Sequence, residues 1–368
     1  MKELRTGVTT GLCAAAAAKA AAITLLSANP PSHVEISAKN NNVLSLEIID
    51  VTQESNMAKC AVQKDAGDDP DITNGAKVYA AVSKTSAAGI VIDGGEGIGR
   101  VTKPGLKVPI GKAAINPVPM EMIEAAIKEV CGVYDYTGGI KVIISIPGGE
   151  EIAKKTMNQR LGIIGGLSIL GTTGIVEPMS DKAIIETIKT EIDVLVASGK
   201  KNLLITPGNY GRGFAQKELG LDIGKAIKCS NFIGETLDYA CVKGIEQILL
   251  IGHAGKLVKL AGGIMNTHSA IADCRMEIIA AHSAMAGAGG ETTRQIMECV
   301  TSEAAIEIML KLGINSHVWE SIGAKIGFHL GARTQGSIAI EYIVFTQDHG
   351  VLVQSDTTQS GYFRLQGE

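Results

Sequence analysis

The sequence predicts two α/β layers in series. The first is an α+β N-terminal domain with mostly antiparallel strands, over residues 1–136. It is joined to an α/β domain with a largely parallel sheet flanked by helices, over 137–368. Three observations carry this reading. An alanine-rich helix near the start is followed by short alternating segments with tight links. The second half repeats a different unit, in which an apolar strand runs into a glycine-bearing loop and then a helix. Between them lies a connector with Pro104, Pro109, Pro117 and Pro119.

The elements follow in order. Thr9 or Thr10 caps a helix over roughly 10–27, where a run of alanines gives the highest helix propensity. HVEISAK (33–39), VLSLEII (43–49) and AKCAVQK (58–64) alternate as half-buried strands do, with Asn40, Asn41 and Asn42 as a turn signal. KVYAAVSK (77–84) and GIVID (89–93) read as further strands, and MEMIEAAIKEVC (120–131) as a helix. YTGG at 136–139 marks the boundary. Beyond it IKVIISI (140–146), KNLLIT (201–206) and EQILLIG (246–252) are buried-type strands, each entering a glycine loop. Helices are expected over 181–198, 271–285 and 292–312. A terminal hairpin, about 337–355, is placed to pack back on the first domain.

Composition narrows the function. The chain has 368 residues, 45% hydrophobic and 20% charged, which describes a folded globular protein. Its net charge is −4 with no long basic run, and aromatics make up 4%, which disfavours a nucleic-acid partner. The seven cysteines form no CxxC pair, so a zinc site or disulfide framework is not expected and a reducing cytoplasm fits. No run reaches the roughly 18 apolar residues of a membrane helix, and the N-terminal stretch, interrupted by Lys19, is too weakly hydrophobic for a signal peptide. Glycine is in excess, at 44 residues, which implies tight turns and close backbone approaches of the kind that hold a ligand.

Several stretches can carry chemistry. VIDGGEGIGR (91–100) places Gly95, Gly97 and Gly99 after a short strand and Asp93. A dinucleotide-type reading requires a helix next, and the prolines at 104 and 109 argue against one. A ligand-contacting loop and a structural turn both remain open. KDAGDDPDIT (64–73) concentrates Asp65, Asp68, Asp69 and Asp71, which suits turn building, ligand contact or a hard cation. TPGNYGRGFA (206–215) exposes backbone N–H groups at Gly208, with Asn209 and Arg212 as side-chain donors. GHAGKLVKLAGG (252–263) sets Gly252, His253 and Lys256 beside a helix start. MNTHS, with His268, and PGGEEIA, with Glu150 and Glu151, are lesser candidates. Cys13 sits in a first helical turn but has no histidine near it in sequence, so a core role is favoured.

Taken together, LRTGVTTGLCAAAAAKAA (4–21), KDAGDDPDIT, GGEGIGRVTKPGL with INPVPMEMI (115–123), IPGGEEIAKKTMNQRLGIIGGLSILGTTGIVEPMS (146–180), TPGNYGRGFA and IGHAGKLVKLAGGIMNTHS resemble the CbiD family. These are the cobalt-precorrin-5B C(1)-methyltransferases of the anaerobic cobalamin (vitamin B12) pathway. The similarity runs in order over about residues 4–269. It implies S-adenosylmethionine as methyl donor, a cobalt-bearing tetrapyrrole as acceptor and cobalt-precorrin-6A as product. Cobalt would arrive in the substrate, so no protein metal site is required. The resemblance is compatible with a homo-oligomer and with transient contacts to neighbouring pathway enzymes.

With that donor and acceptor, motif position and physical reasoning make Asp93, Gly95, Glu96, Gly97, Gly99, Gly208, Asn209 and Gly252 the expected donor contacts. Arg5, Thr9, Thr10, Arg100, Lys103, Arg212 and Lys256 are the expected partners of acceptor carboxylates. His253 is the candidate base for the proton that leaves the ring. The alternatives are a non-catalytic corrinoid carrier and a nucleotide-dependent enzyme built on the 91–100 loop.

Overall fold

The structure is a computed structural model, and it describes residues 4–39 and 42–356. The expected turn at Asn40 and Asn41 lies outside the described residues. The chain divides into two compact units, residues 1–180 and 181–368.

The first unit is organised around one helix. After the short strand β1 (Gly7–Val8), helix α1 (Thr10–Ser27) begins where the Thr9 hydroxyl accepts from Leu12 N–H, and it ends at Ala28 with φ +58°. Ala14–Ala18 and Ala20–Ala22 have no solvent exposure. A helix apolar on every side has to be buried on every side. Its methyl side chains let neighbouring elements approach closely. Lys19 escapes along its stem, and its ammonium reaches Glu35 O at 2.8 Å and Glu129 Oε1 at 2.8 Å. Among the described residues α1 alone is long and apolar enough to cross a membrane, and 78% of it is buried inside the protein. The expectation of no such run therefore does not hold by length and composition; alanine in a core helix meets the same threshold.

Strands β2 (His33–Ser37) and β3 (Val43–Glu47) form a hairpin. Next come β4 (Ile49–Gln53), β5 (Met57–Gln63), β6 (Lys77–Thr85), β7 (Ile90–Gly94), the short β8 (Arg100–Val101), helix α2 (Pro117–Val133) and β9 (Gly139–Ser145). They build a five-stranded sheet of order β4-β5-β6-β9-β7, antiparallel except for β7 beside β9. The short helix α3 (Gly149–Ala153) and the short strands β10 (Ile163–Ile164) and β11 (Ile175–Val176) follow; β10 pairs with β8 and β11 with β1. IKVIISI joins the sheet of the first unit as β9, and the division between the compact units falls after Ser180, where the sequence led us to expect a boundary at 136/137. The reason is the connection β7–α2–β9, a strand–helix–strand crossover, which makes β9 the parallel neighbour of β7 while its other edge pairs with β6 over seven residues.

The second unit contains α4 (Asp181–Ala197), β12 (Asn202–Thr206), α5 (Asn209–Lys217), β13 (Ile227–Lys228), α6 (Ile233–Val242), β14 (Gln247–His253), the short α7 (Ala254–Leu257), α8 (Arg275–Met285), α9 (Gly290–Met297), α10 (Ser302–Lys311), α11 (Asn315–Thr334), β15 (Ala339–Thr346) and β16 (Gly350–Gln354). Its sheet has the order β13-β12-β14-β15-β16, parallel except for the last strand. Alternate residues serve two cores. Leu203, Ile205, Ile248, Leu250 and Val344 face the helices around Trp319 and Ile322, while Leu204, Leu249, Ile251, Ile343 and Phe345 pack on the side of Phe214 and Ala215. Helices thus cover both faces, as a parallel sheet requires.

The terminal hairpin is built into this unit's own sheet, β15 running parallel to β14 over seven residues. The single helix expected over 292–312 is two helices, because Thr301 turns out of the helix and caps α10 by accepting from Ala304 N–H at 3.2 Å. Helices α6 and α11 were not anticipated. Gly323, Gly327 and Gly331 depress the apparent helix propensity of α11. At Gly323 a methyl group would lie 2.7 Å from Val353 Cγ2, so the small residue lets the helix seat on the sheet.

Candidate functional site

Numbered by appearance, the second sheet runs second-first-third-fourth-fifth. Chain order therefore reverses between β12 and β14. In doubly wound sheets ligands bind beyond the carboxyl ends of the strands at that reversal. Here the two strands end in the motifs singled out from sequence: Thr206 leads into Pro207–Gly208 and α5, and His253 leads into α7.

His253 is half-buried and caps α7, its Nδ1 accepting from Gly255 N–H at 3.2 Å. The other ring nitrogen, Nε2, lies 3.2 Å from Glu303 Oε1 on the first turn of α10. Burial pushes the imidazole pKa down, and the carboxylates of Glu303 and Asp348 oppose that shift. The ring meets Phe345 edge-on at 5.8 Å and Tyr210 at 5.9 Å, and Phe345 stacks on Phe214 at 4.1 Å. Lys256 donates to Pro207 O at 2.9 Å and to Asn231 Oδ1 at 2.8 Å, tying the loop after β12 to the loop after β13. Burial lowers its pKa as well.

The loop after β12 is open where it meets α5. A methyl group at Gly208 would have nothing within 4 Å, and Gly208 supplies no side chain to cap the helix. Asn209 and Tyr210 are exposed. Arg212 donates to Ile223 O at 3.2 Å. Gly252 is filled by the Leu257 side chain, 2.7 Å from where a methyl would stand. Thr206 is wholly buried, and its hydroxyl has no hydrogen-bond partner among the described residues.

In the first unit the 91–100 loop is different in kind. A methyl at Gly97 would stand 1.9 Å from Ile146 O, and Gly97 has φ +72°. Gly95 is blocked by Ile143 and Gly99 by Ile163 and the backbone of Gly166. These glycines let backbones pack against one another. Asp93 is held by Arg100 through two hydrogen bonds, 2.8 and 3.0 Å, which lower its pKa. Glu96 is exposed, and its carbonyl accepts from Ile146 N–H at 2.9 Å. No helix follows Gly99; the chain runs into β8.

The remaining first-unit candidates are also committed to the protein. Arg5 binds both carboxylate oxygens of Asp65 through its two terminal nitrogens, at 2.5 and 2.9 Å, and its backbone N–H donates to Asp68. That contact holds the Asp65 carboxyl at about 2. Asp69 accepts from Met179 N–H, and Asp71 pairs with buried Lys64 at 2.7 Å. The four aspartates of the acidic stretch are thus committed to Arg5, Met179 and Lys64. The Thr10 hydroxyl bonds both sides of Leu170, donating to its carbonyl at 3.3 Å and accepting its N–H at 3.0 Å, while Gly11 N–H donates to the same carbonyl. Lys103 reaches Arg160 O at 3.3 Å. Burial pushes the Cys13 thiol up to about 12, which makes it inert.

Sequence reasoning missed Thr206, Tyr210, Glu303 and Phe345. Thr206 and Tyr210 lie inside a motif already selected. Glu303 and Phe345 arrive from helix and strand ends far along the chain, and only the fold brings them to His253.

Fold and site define a protein of two α/β units, the second with the reversed strand order and polar loops that doubly wound sheets use to hold small molecules. The comparisons narrow this. A profile described as CbiD matches residues 1–178, and one described as the CbiD C-terminal domain matches 266–356. A relative from Ruminiclostridium cellulolyticum is 53% identical, covering 94% of this chain and 90% of that protein. Another, from Methanocaldococcus jannaschii, is 44% identical over 91% of this chain and 92% of its own length. Both are named cobalt-precorrin-5B C(1)-methyltransferase. A crystal structure of a cobalamin biosynthesis protein (cbiD) from Archaeoglobus fulgidus is 31% identical, covers 70% of this chain and 80% of its own, and superposes with a TM-score of 0.39. The chain belongs to the CbiD family.

Proposed function

We propose that this chain methylates C1 of cobalt-precorrin-5B with S-adenosylmethionine as donor. The observation that carries the reading is the 53% identity over nearly the full length of a relative bearing that name. We also infer that the donor is held at the β12/β14 reversal. The open Gly208 backbone and the unpartnered Thr206 hydroxyl there suit a polar ligand, whereas the glycines of the 91–100 loop are filled by their own protein neighbours.

Bound S-adenosylmethionine supplies an electrophilic methyl group on a sulfonium. The protein's part is placement, since aligning two bound reactants removes most of the entropic barrier. Exposed Tyr210 offers an aromatic face beside His253, whose ring is backed by buried Phe345. His253, kept neutral by burial, orients this edge through Gly255 and Glu303. Its Nδ1 is occupied by the Gly255 amide, so a role in orientation fits it better than proton abstraction. Of the cations expected to meet acceptor carboxylates, Arg5 and Arg100 are each held by an aspartate, and Lys103 donates to the Arg160 carbonyl. The two compact units are read as two domains, and the cobalt travels in the substrate.

The test is anaerobic incubation with cobalt-precorrin-5B and methyl-labelled donor. One equivalent of label should enter the macrocycle. No incorporation, with substrate made by demonstrably active upstream enzymes, would sink the reading.

A further inference from the structure

We infer that the first turn of α5, together with Thr206, is a carboxylate cradle for the amino-acid end of the methyl donor. The inference rests on the donor reading above but is separable from it.

The first amides of a helix have no intrahelical acceptors. In α5 these belong to Asn209, Tyr210 and Gly211, on a helix of nine residues with no side-chain cap. Uncapped amides of this kind, with the dipole behind them, favour an anion. A helix start alone would mean little. The second observation is Thr206. It is fully buried, its hydroxyl has no hydrogen-bond partner among the described residues, and leaving a buried hydroxyl unpaired is costly. Thr206 is the last residue of β12, immediately before the loop. A methyl on Gly211 would lie 3.2 Å from Thr206 Cβ, which puts the threonine side chain against the first turn of α5. The same methyl would lie 2.6 Å from Ile251 O, so Gly211 is what lets the helix start sit this close to β14.

The local charge agrees. The Lys256 ammonium is anchored 2.9 Å from Pro207 O, beside the loop. In the His253 cluster the Glu303 carboxylate is engaged by the imidazole. A buried hydroxyl, three backbone donors and a fixed cation form a preorganised set for one carboxylate. Both reactants of the proposed reaction carry carboxylates, and the position at the strand reversal assigns the cradle to the donor.

The experiment is calorimetric binding in the absence of acceptor, comparing S-adenosylmethionine with its decarboxylated form on the full chain. The wild type should favour the carboxylate-bearing compound by about tenfold or more, the size of one charge-assisted hydrogen bond. Thr206→Val keeps shape and strand propensity while removing the hydroxyl. It should lose most of that preference by weakening S-adenosylmethionine alone. Its ligand-free melting temperature should equal or exceed that of the wild type, because a buried unpaired hydroxyl is gone. Thr206→Ser should keep the preference. Asn209→Pro is an independent variant: proline is well accommodated at the first helical position and deletes one N–H of the cradle. It too should narrow the preference.

Equal binding of both compounds by the wild type would overturn the cradle and leave the donor reading standing. So would a Thr206→Val protein that retains the full preference, or one that weakens only the tetrapyrrole. Binding of neither compound would overturn the donor reading, and the cradle with it.

Discussion

The two glycine-bearing loops, 91–100 in the first unit and 206–215 in the second, look alike as strings and differ in structure. Both leave a strand and both carry a polar residue beside glycine. At Gly97 there is no room for a methyl group, and at Gly208 there is nothing nearby to meet one. A glycine needed for packing and one that leaves backbone open are indistinguishable in sequence. What separates them is the following element: β8 in one case and a nine-residue helix in the other.

The largest expected effect tests that contrast directly. Gly97→Ala places a methyl 1.9 Å from Ile146 O in a backbone with φ +72°. It should destabilise the protein by on the order of 3 kcal/mol or more. Gly208→Ala enters open space on extended backbone and should stay within about 0.5 kcal/mol of the wild type. Urea unfolding of both variants reads the difference. Similar costs would mean that the loops are not distinct.

A smaller effect belongs to the acidic stretch of the first unit. Asp71→Asn leaves the Lys64 ammonium, 1% exposed, without its counter-charge, a change of about 2 kcal/mol once the partial exposure of Asp71 is allowed for. Burial pushes the Asp71 carboxyl up, but Lys64 and both donors of Thr73 outweigh it and hold the pKa below the usual value. Its stabilisation is therefore complete above an unfolded carboxyl pKa of about 4 and is lost as pH falls through the lowered folded value. Acid titration of stability should show this component in the wild type and not in Asp71→Asn. An identical acid profile would show that the Asp71–Lys64 pair contributes nothing to stability.

Much of the fold was legible in the sequence. The bounds of α1 followed from its threonine cap and alanine run, and most strands from period-two alternation. Period and composition do not state which sheet a strand joins, so IKVIISI was placed with the parallel strands although its pairing with β6 and β7 sits in the other unit. The glycines of α11 hid a 20-residue helix because propensity is local and the seating of that helix on Tyr342 and Val353 is not. For the site, the loops after β12 and β14 were readable as polar turns after apolar strands. Their adjacency was not, since it depends on strand order. Arg5, Thr10 and Asp93 looked available only because their partners, Asp65, Leu170 and Arg100, are set by tertiary pairing.

The smallest effect sharpens the chemistry of the open loop. His253 is half-buried between Glu303 and Asp348, and burial outweighs their attraction in setting its pKa. There is a geometric contribution too. A doubly protonated ring would turn Nδ1 into a donor facing the Gly255 N–H it now accepts. The neutral ring accordingly carries its proton on Nε2, towards Glu303. For a histidine whose folded pKa lies below the unfolded value near 6.5, the stabilisation is full above that value and lost as pH falls through the folded one. Glu303→Gln removes the attraction that partly restores the pKa. The His253 titration should then move further down by a few tenths of a unit, small because both side chains keep some contact with water. Nitrogen-15 NMR of the imidazole reads both quantities, the midpoint and the tautomer. A midpoint that rises in Glu303→Gln, or a neutral ring protonated on Nδ1, would break the pairing and return His253 to the role of a free base. A lower midpoint with the proton on Nε2 would establish it as a neutral, oriented group at the edge of the β12/β14 reversal.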